Sequence, residues 1–314
     1  MRASIVALAG GVGGAKLAHG LALARPDRPL SVIVNTGDDF TLHGLHIAPD
    51  LDTVMYTLAG LANPETGWGI QGDSFATLEM LERYGAESWF RLGDRDFATH
   101  IQRTLRLRQG QPLSAVTAEL AGALGVRAAL LPMCDEPVAT LVETPAGVLD
   151  FQDYFVRRHQ QDDVLGITLR GIELARPLSQ VLDAVDAAEA IVLCPSNPIV
   201  SIGPILALPG LRARLKAAPA PVVAVSPIIG GQALKGPADR MLATLGHEVS
   251  AAGVAALYNG LVDGMVIDEQ DAALAGRIEA LGMAVEVAQT IMRDEADRRG
   301  LAERVLAFAE RLRR

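Results

Sequence analysis

Five apolar runs of strand length recur along this chain with helical patterns between them, and that alternation restricts the fold more than any other feature. The runs are SIVALAG (4–10), LSVIVNTGDD (30–39), EAIVLCPSN (189–197), PVVAVSPIIGG (221–231) and GLVDGMVID (260–268), each closed by Gly, Pro, Asn, Asp or Ser. Their apolar residues are continuous rather than alternating, so both faces of each strand must be covered. Strands of that kind separated by helices predict an α/β class with a doubly wound, mostly parallel sheet.

Residues 63–165 break the rhythm. NPETGWGIQGD reads as loop, and helical patterns follow near 74–84, 97–107 and 114–124. ATLVETPAGVLDFQDYFV then reads as a hairpin, two alternating strands around the turn Thr144–Pro145–Ala146–Gly147. We expect a single domain over 1–314, elaborated by a helix-and-hairpin insertion at about 63–165. A last amphipathic helix, about 293–313, is expected along a sheet edge or a partner subunit.

With 314 residues, half of them apolar, and a mean hydropathy of +0.25, the chain can bury a substantial core. No run reaches the ~18 uninterrupted apolar residues of a membrane span. The first apolar run lacks a basic flank and a small-residue cleavage site, and reads as a strand, not a signal peptide. Cys134 and Cys194 are far apart at the ends of apolar runs, and read as small buried residues in a reducing cytoplasm. The net charge of -9 argues against a nucleic-acid surface. Of 28 basic residues only Lys16, Lys216 and Lys235 are lysines, which makes the placement of each informative.

In an open parallel sheet, ligands gather outside the carboxyl ends of the strands. Here those ends carry Gly10–Gly14, then Asn35–Asp39, Pro195–Pro198, Ser226–Pro227 with Gly230–Gly231, and Asp268. The glycine stretch LAGGVGGAKL fits G-x-G-x-x-G only loosely, and Lys16 is followed by Leu17 where a P-loop needs Ser or Thr. What it shares with both is close-approaching backbone N–H groups, a helix N-terminus and a lysine, all of which favour phosphate. A plain tight turn is the competing reading.

Asp38, Asp39, Asp50 and Asp52 crowd the next stretch. Asp50 alone reads equally well as a helix N-cap. Yet PDLD sets two carboxylates at one helix mouth, and carboxylates beside a phosphate site require a cation such as Mg²⁺ between them and the phosphates. RLGDRDFATH gathers Arg91, Asp94, Arg95, Asp96 and His100. Its arginines suit bidentate phosphate contacts, with Asp94 holding Arg95; a self-paired solvated loop is the plainer reading. His100, His43 and His46 read as helix-face or loop residues. FQDYFVRR concentrates aromatics in a chain with 4% of them, which fits a wall for a planar ring as well as it fits ordinary packing.

The motifs GGVGGAKL, NTGDD, PDLDTVMYTLAG, LGDRDFATHIQRT, DEPVATLVET, FQDYFVRR, PSNPIVSIGPIL, AVSPIIGG and KGPADRM run in order over nearly the whole chain. In them the sequence closely resembles the CofD family, called FbiA in some bacteria, with Val12 standing where members often carry threonine. The resemblance implies a Rossmann-like fold and a Mg²⁺-dependent transferase of coenzyme F-420 biosynthesis. The acceptor would be the deazaflavin FO (7,8-didemethyl-8-hydroxy-5-deazariboflavin). Its ribityl hydroxyl would take a 2-phospholactyl, enolpyruvyl-phosphate or phosphoglyceryl group from a guanosine-diphosphate-activated donor, releasing GMP. By the same resemblance Asp52 and Arg91 would contact FO, and a cytoplasmic homodimer is expected.

The strand-end reading places guanosine diphosphate over Gly10, Gly11, Val12, Gly13, Gly14 and Lys16, beside Asn35, Thr36, Ser196 and Asn197. Asp38, Asp50 and Asp52 are the metal candidates. Asp50, Asp52, Lys16 and Arg95 are the catalytic candidates, the last two for phosphate charge. One rival is a non-catalytic or regulatory nucleotide-sugar binder, which should lack PDLD, GDRD and FQDYFVRR. The other is a nicotinamide-dependent oxidoreductase, disfavoured by the glycine spacing and the crowded carboxylates.

Overall fold

The computed structural model describes residues 4–313. Its centre is a sheet of seven parallel strands: β1 (Ser4–Ala9), β2 (Leu30–Val34), β5 (Ala129–Pro132), β9 (Ala188–Leu193), β10 (Val222–Val225), β13 (Gly264–Asp268) and β14 (Ala284–Ala288). They lie in the order β14-β13-β10-β9-β1-β2-β5, and every pairing is parallel. The continuous apolar runs follow from this. Along β1, Val6 and Leu8 enter one buried cluster while Ile5, Ala7 and Ala9 enter the other. Along β9, Ile191 and Leu193 divide from Ala190 and Val192 in the same way. A two-residue side-chain period with both faces buried favours apolar residues at consecutive positions.

One face is covered by α1 (Gly11–Ala24), α2 (Pro49–Leu58) and the C-terminal helix Glu295–Leu312, through Leu17, Leu21, Leu51, Val54, Leu301, Val305 and Phe308. Each such side chain contributes about 1.5–3 kcal/mol on burial. The final helix therefore spans a face of its own sheet. Gly20 of α1 lies so close to it that a Cβ there would overlap the Arg298 carbonyl. Cys134 and Cys194 are buried free thiols, one in each core.

The region 63–165 is less of a single insertion than its sequence predicts. A small hairpin, β3 (Phe40–Leu42) with β4 (Leu45–Ile47), already precedes α2. Helices α3 (Ala76–Arg83), α4 (Asp94–Arg108) and α5 (Leu113–Ala123) match the three helical patterns, but β5 then returns to the main sheet beside β2. Beyond it, β6 (Ala139–Thr144) and β7 (Gly147–Asp150) form the expected hairpin, with Thr144 opposite Gly147, and β8 (Gly166–Arg170) adds a third strand. FQDYFVRR is not a continuation of that hairpin. It coils into a π-helical turn, Asp153–Arg157, a geometry frequent at functional sites. A two-residue pair, β11 (Ile228–Ile229) with β12 (Gln232–Ala233), follows β10. Among the described residues no helix is long and apolar enough to cross a membrane.

Candidate active site

From β1 the chain builds outward through β2 and β5 to one side, then through β9, β10, β13 and β14 to the other. The topological switch point thus falls between β1 and β9, and a cavity of about 920 Å³ opens at their carboxyl ends. Gly10, Gly11, Val12, Gly13 and Lys16 line it from one side of the switch, and Pro195, Ser196 and Asn197 from the other. Asp38, Asp50, Asp52 and Arg91 also face it, so eleven of the expected site residues share one wall-to-wall space.

The glycine stretch is more helical than its sequence suggests. Helix α1 starts at Gly11 with Gly10 as its N-cap, so Gly11, Gly13 and Gly14 belong to its first turn and not to a loop ahead of it. Gly11 has φ +61°, a conformation that L side chains rarely adopt. A Cβ on Gly13 would overlap the Pro195 carbonyl, so this glycine lets α1 pass against the turn after β9. Gly14 packs against Ser196 and Ala9 in the same manner and does not line the cavity. Two of the expected phosphate donors are already used: Gly10 N donates to Ser196 Oγ at 3.2 Å and Gly11 N to Asp50 Oδ1 at 2.7 Å.

Asp50 reaches that position from the first turn of α2, where Pro49 sets the helix start. Its Oδ2 accepts from the Asn35 amide at 2.9 Å, and Asn35 also donates to the Val200 carbonyl at 3.2 Å. Asn35 is fully buried and braces Asp50 from behind without facing the cavity. Thr36 is likewise buried, near Cys134, and lines nothing. Burial lifts the Asp50 carboxyl to about 6 against the pull of the Asn35 and Gly11 hydrogen bonds. Burial and the neighbouring Asp50 charge lift Asp38 well above the usual carboxylate range, and its Oδ1 has no hydrogen-bond partner among the described residues. Two buried carboxylates this close favour either a proton or a cation between them. A pair of buried carboxylates in a cavity wall, one with an oxygen that lacks a hydrogen-bond partner among the described residues, is the donor type that Mg²⁺ takes, so Asp38 and Asp50 fit the expected metal.

Asp52 behaves differently. Arg103 of α4, itself buried, grips both of its oxygens: Nη1 donates to Oδ2 at 3.0 Å and Nη2 to Oδ1. His100 Nδ1 lies 3.2 Å from the same Arg103 Nη1 and accepts from it, which leaves the ring proton on Nε2, 3.3 Å from Asp96 Oδ1. Tyr56 Oη donates to Asp96 Oδ1 at 2.7 Å, while His100 Nε2 lies near the same oxygen without a hydrogen bond to it. Asp52, Asp96 and His100 converge closely enough to hold an ion. The Arg103 guanidinium already supplies positive charge beside Asp52, so of the three expected metal candidates Asp52 is the one with a cation on both oxygens, while Asp38 and Asp50 lack one among the described residues. His100, read from sequence as a helix-face residue, is buried in the wall, and Arg103 has no local sequence signal because its partner lies 51 residues away.

Among the cations, Lys16 faces the cavity and donates from Nζ to the Met292 carbonyl at 2.7 Å. Arg91 lines it with its guanidinium 4.5 Å from the Phe75 ring centre. Arg95 is exposed and lies outside the lining, which removes the basis for its expected phosphate role. Nor does Asp94 hold it. Asp94 accepts from Ser74 Oγ, Ala76 N and Thr77 N at the start of α3, while Asp73 accepts from Arg95 N and Asp96 N at the start of α4. The two aspartates cap each other's helices. Trp68, Trp89, Phe90, Phe151 and Phe155 supply an aromatic wall, with Phe151 and Phe155 stacked at 5.5 Å. Of these, the sequence pointed only to the FQDYFVRR pair.

The family model described as 2-phospho-L-lactate transferase CofD matches residues 5–306. The chain is 46% identical to a phosphoenolpyruvate transferase of Streptomyces griseus subsp. griseus, over 98% of this chain and 99% of the relative. It is 43% identical to a 2-phospho-L-lactate transferase of Methanosarcina acetivorans, over 97% and 98%. A solved structure of a UPF0052-family protein from Bacillus halodurans superposes with a TM-score of 0.67, covering 98% of this chain and 99% of the other at 15% identity, a likeness of fold. The match over almost the whole length, with the family's glycine, aspartate and arginine motifs meeting around one cavity, means that this chain belongs to the CofD family of transferases.

Proposed function

We propose that this protein transfers a phosphorylated organic acid from a guanosine-diphosphate-activated donor to the ribityl hydroxyl of FO, releasing GMP, as a step of coenzyme F-420 assembly. The observation that carries the reading is the meeting, in one cavity, of the glycine turn, the Asp38–Asp50 pair, the Arg103-gripped Asp52 and an aromatic wall. In the transfer, the acceptor oxygen forms a bond to the phosphorus bearing the acid, the bond from that phosphorus to the GMP oxygen breaks, and the hydroxyl proton passes to the departing GMP phosphate or to solvent.

The residues divide the work. Trp89, Phe90, Phe151 and Phe155 offer flat apolar surface to a tricyclic ring and exclude water from the reacting end. Asp52, fixed by the two-pronged contact with Arg103, accepts the hydrogen bond of the attacking hydroxyl and aims it. The loose transition state of phosphoryl transfer asks little more of a base. Arg91 flanks the acceptor. Lys16 and the first turn of α1 face the donor phosphates. Asp38 and Asp50 are the residues that would hold Mg²⁺, which when bound supplies positive charge to the phosphate oxygens. The names of the two relatives make enolpyruvate and lactate the donor acids to try first.

Titration of FO into the protein, followed by deazaflavin fluorescence, tests the acceptor half. Saturable binding by wild type and weakened binding by Asp52→Asn are expected. A protein that gives no FO response, while still binding guanosine diphosphate, would be a nucleotide binder and not this transferase.

A further inference from the structure

The chain contains three lysines, and two of them, Lys16 and Lys235, line the same cavity. They arrive from distant elements. Lys16 stands in the second turn of α1, and Lys235 in the loop between β12 and Pro237. Among the described residues each ammonium is held by a main-chain oxygen alone: Lys16 Nζ donates to Met292 at 2.7 Å, and Lys235 Nζ to Thr66 at 2.7 Å. Neither forms an ion pair among the described residues. Burial, then the charges of Arg298 and Lys235, hold Lys16 below the ordinary lysine range, so the positive groups feel one another.

Their position matters because of what the backbone has already spent. A Cβ on Gly67 would meet Val12 Cγ1 at 2.6 Å and Lys235 Nζ at 3.1 Å, which sets the Lys235 ammonium over the first turn of α1. The Gly10 and Gly11 N–H groups of that turn are committed to Ser196 and Asp50. An anion placed there has to draw its charge complement from side chains, and the cations that line the cavity are these two lysines with Arg91 and Arg293, of which Arg293 is already paired with Asp297. Asp38 and Asp50 line the same cavity, with Asp50 bonded to the Gly11 N–H of that turn, so groups of both signs border it.

We infer that Lys235, acting with Lys16, forms the anion-binding end of the cavity and takes the charged end of the donor, either its diphosphate or its phospho-carboxylic acid. This rests on the transfer reading above for the identity of the donor, though not for the existence of the site. The competing role is mechanical: the Lys235–Thr66 bond as a staple between two loops.

Calorimetric titration of the full-length protein with guanosine diphosphate, inorganic pyrophosphate, phosphoenolpyruvate and guanosine separates these roles, with melting temperature recorded for each variant. Lys235→Met should weaken one or more of the anions by roughly 10- to 100-fold, the loss expected for a hydrogen bond to a charged group, and should leave guanosine unaffected. Loss confined to phosphoenolpyruvate would place the carboxylate end there; loss of guanosine diphosphate and pyrophosphate would place the diphosphate there. Lys235→Arg should retain most of the affinity. Wild-type affinity of Lys235→Met for every anion overturns the site, even if the melting temperature falls, and so does an equal loss in Lys235→Arg. Binding of pyrophosphate but not of guanosine diphosphate by wild type would sink the transfer reading and leave the anion site standing. Binding of none of the anions by wild type sinks the site itself.

Discussion

Arg103 holds both carboxylate oxygens of Asp52 from behind the cavity wall, so the carboxylate that faces the cavity is aimed by a guanidinium that does not. Both are buried, and Asp39 is close enough to add a second, weaker attraction to Arg103. Removing one partner strands the other. Arg103→Met should therefore cost about 3–5 kcal/mol in urea unfolding, the usual penalty for an orphaned buried charge. A loss below ~1 kcal/mol would show that water reaches Asp52 and that the pair is not structural.

Asp50 carries a pH signature. Its folded-state carboxyl titrates at about 6, pushed up mainly by burial, against an unfolded value near the ordinary ~3.9 for aspartate. The folded protein therefore binds this proton more tightly than the unfolded chain does. Stability from that protonation is fully present below about pH 4 and is lost as pH rises through about 6. Asp50→Asn removes the dependence. In metal-free buffer, the unfolding free energy of the variant relative to wild type should rise by roughly 2–3 kcal/mol between pH 4 and pH 7. A difference that stays flat with pH would mean that the Asp50 charge is satisfied in the folded state.

Gly13 is a packing requirement before it is a ligand contact. Gly13→Ala pushes a methyl group into the Pro195 carbonyl and should destabilise by about 1–3 kcal/mol, read as a lowered melting temperature. Gly122, inside α5 with open space around its Cβ position, is the control. Gly122→Ala should be neutral or stabilising by up to ~1 kcal/mol. Equal behaviour of the two would remove the close crossing of α1 and the 195–196 turn.

Arg95 and Lys16 separate by placement. Arg95→Ala should leave turnover of donor and acceptor at the wild-type level, because its side chain lies outside the cavity lining. Lys16→Met should lower kcat/KM for the donor by roughly 10- to 100-fold, as loss of a charged contact to phosphate would. Steady-state kinetics with varied donor decides the matter. A large loss in Arg95→Ala would restore the phosphate role that the sequence suggests and the geometry denies.

The sheet was legible from sequence wherever strands are buried on both faces, because β1, β2, β9, β10 and β13 then appear as unbroken apolar runs. The edge strands were not. β14 (AVEVA) carries Glu286, ion-paired to Arg304 and Arg311, and β5 is four residues long inside a helix-rich stretch. Strand-end chemistry was legible for the same reason as the strands: the sheet delivers every carboxyl end to one rim. Arg103 was not singled out, and Lys235 was marked only as one of three lysines and given no role, since what defines each is a partner far along the chain: Asp52 for one, Thr66 for the other. Arg95 misled because charge pattern alone does not say which side of a helix start faces solvent. The glycine stretch was legible as a tight crossing near a ligand space, but not as a helical turn whose first N–H groups are already occupied.

The measurement that bears most directly on the transfer is mass analysis of the products formed from FO, Mg²⁺ and each guanylylated donor in turn. The expected result is FO gaining the mass of one phospho-organic-acid group, with one GMP released per FO consumed and the reaction abolished in Asp50→Asn. Unchanged FO with every donor, in protein that still binds guanosine diphosphate, would contradict it.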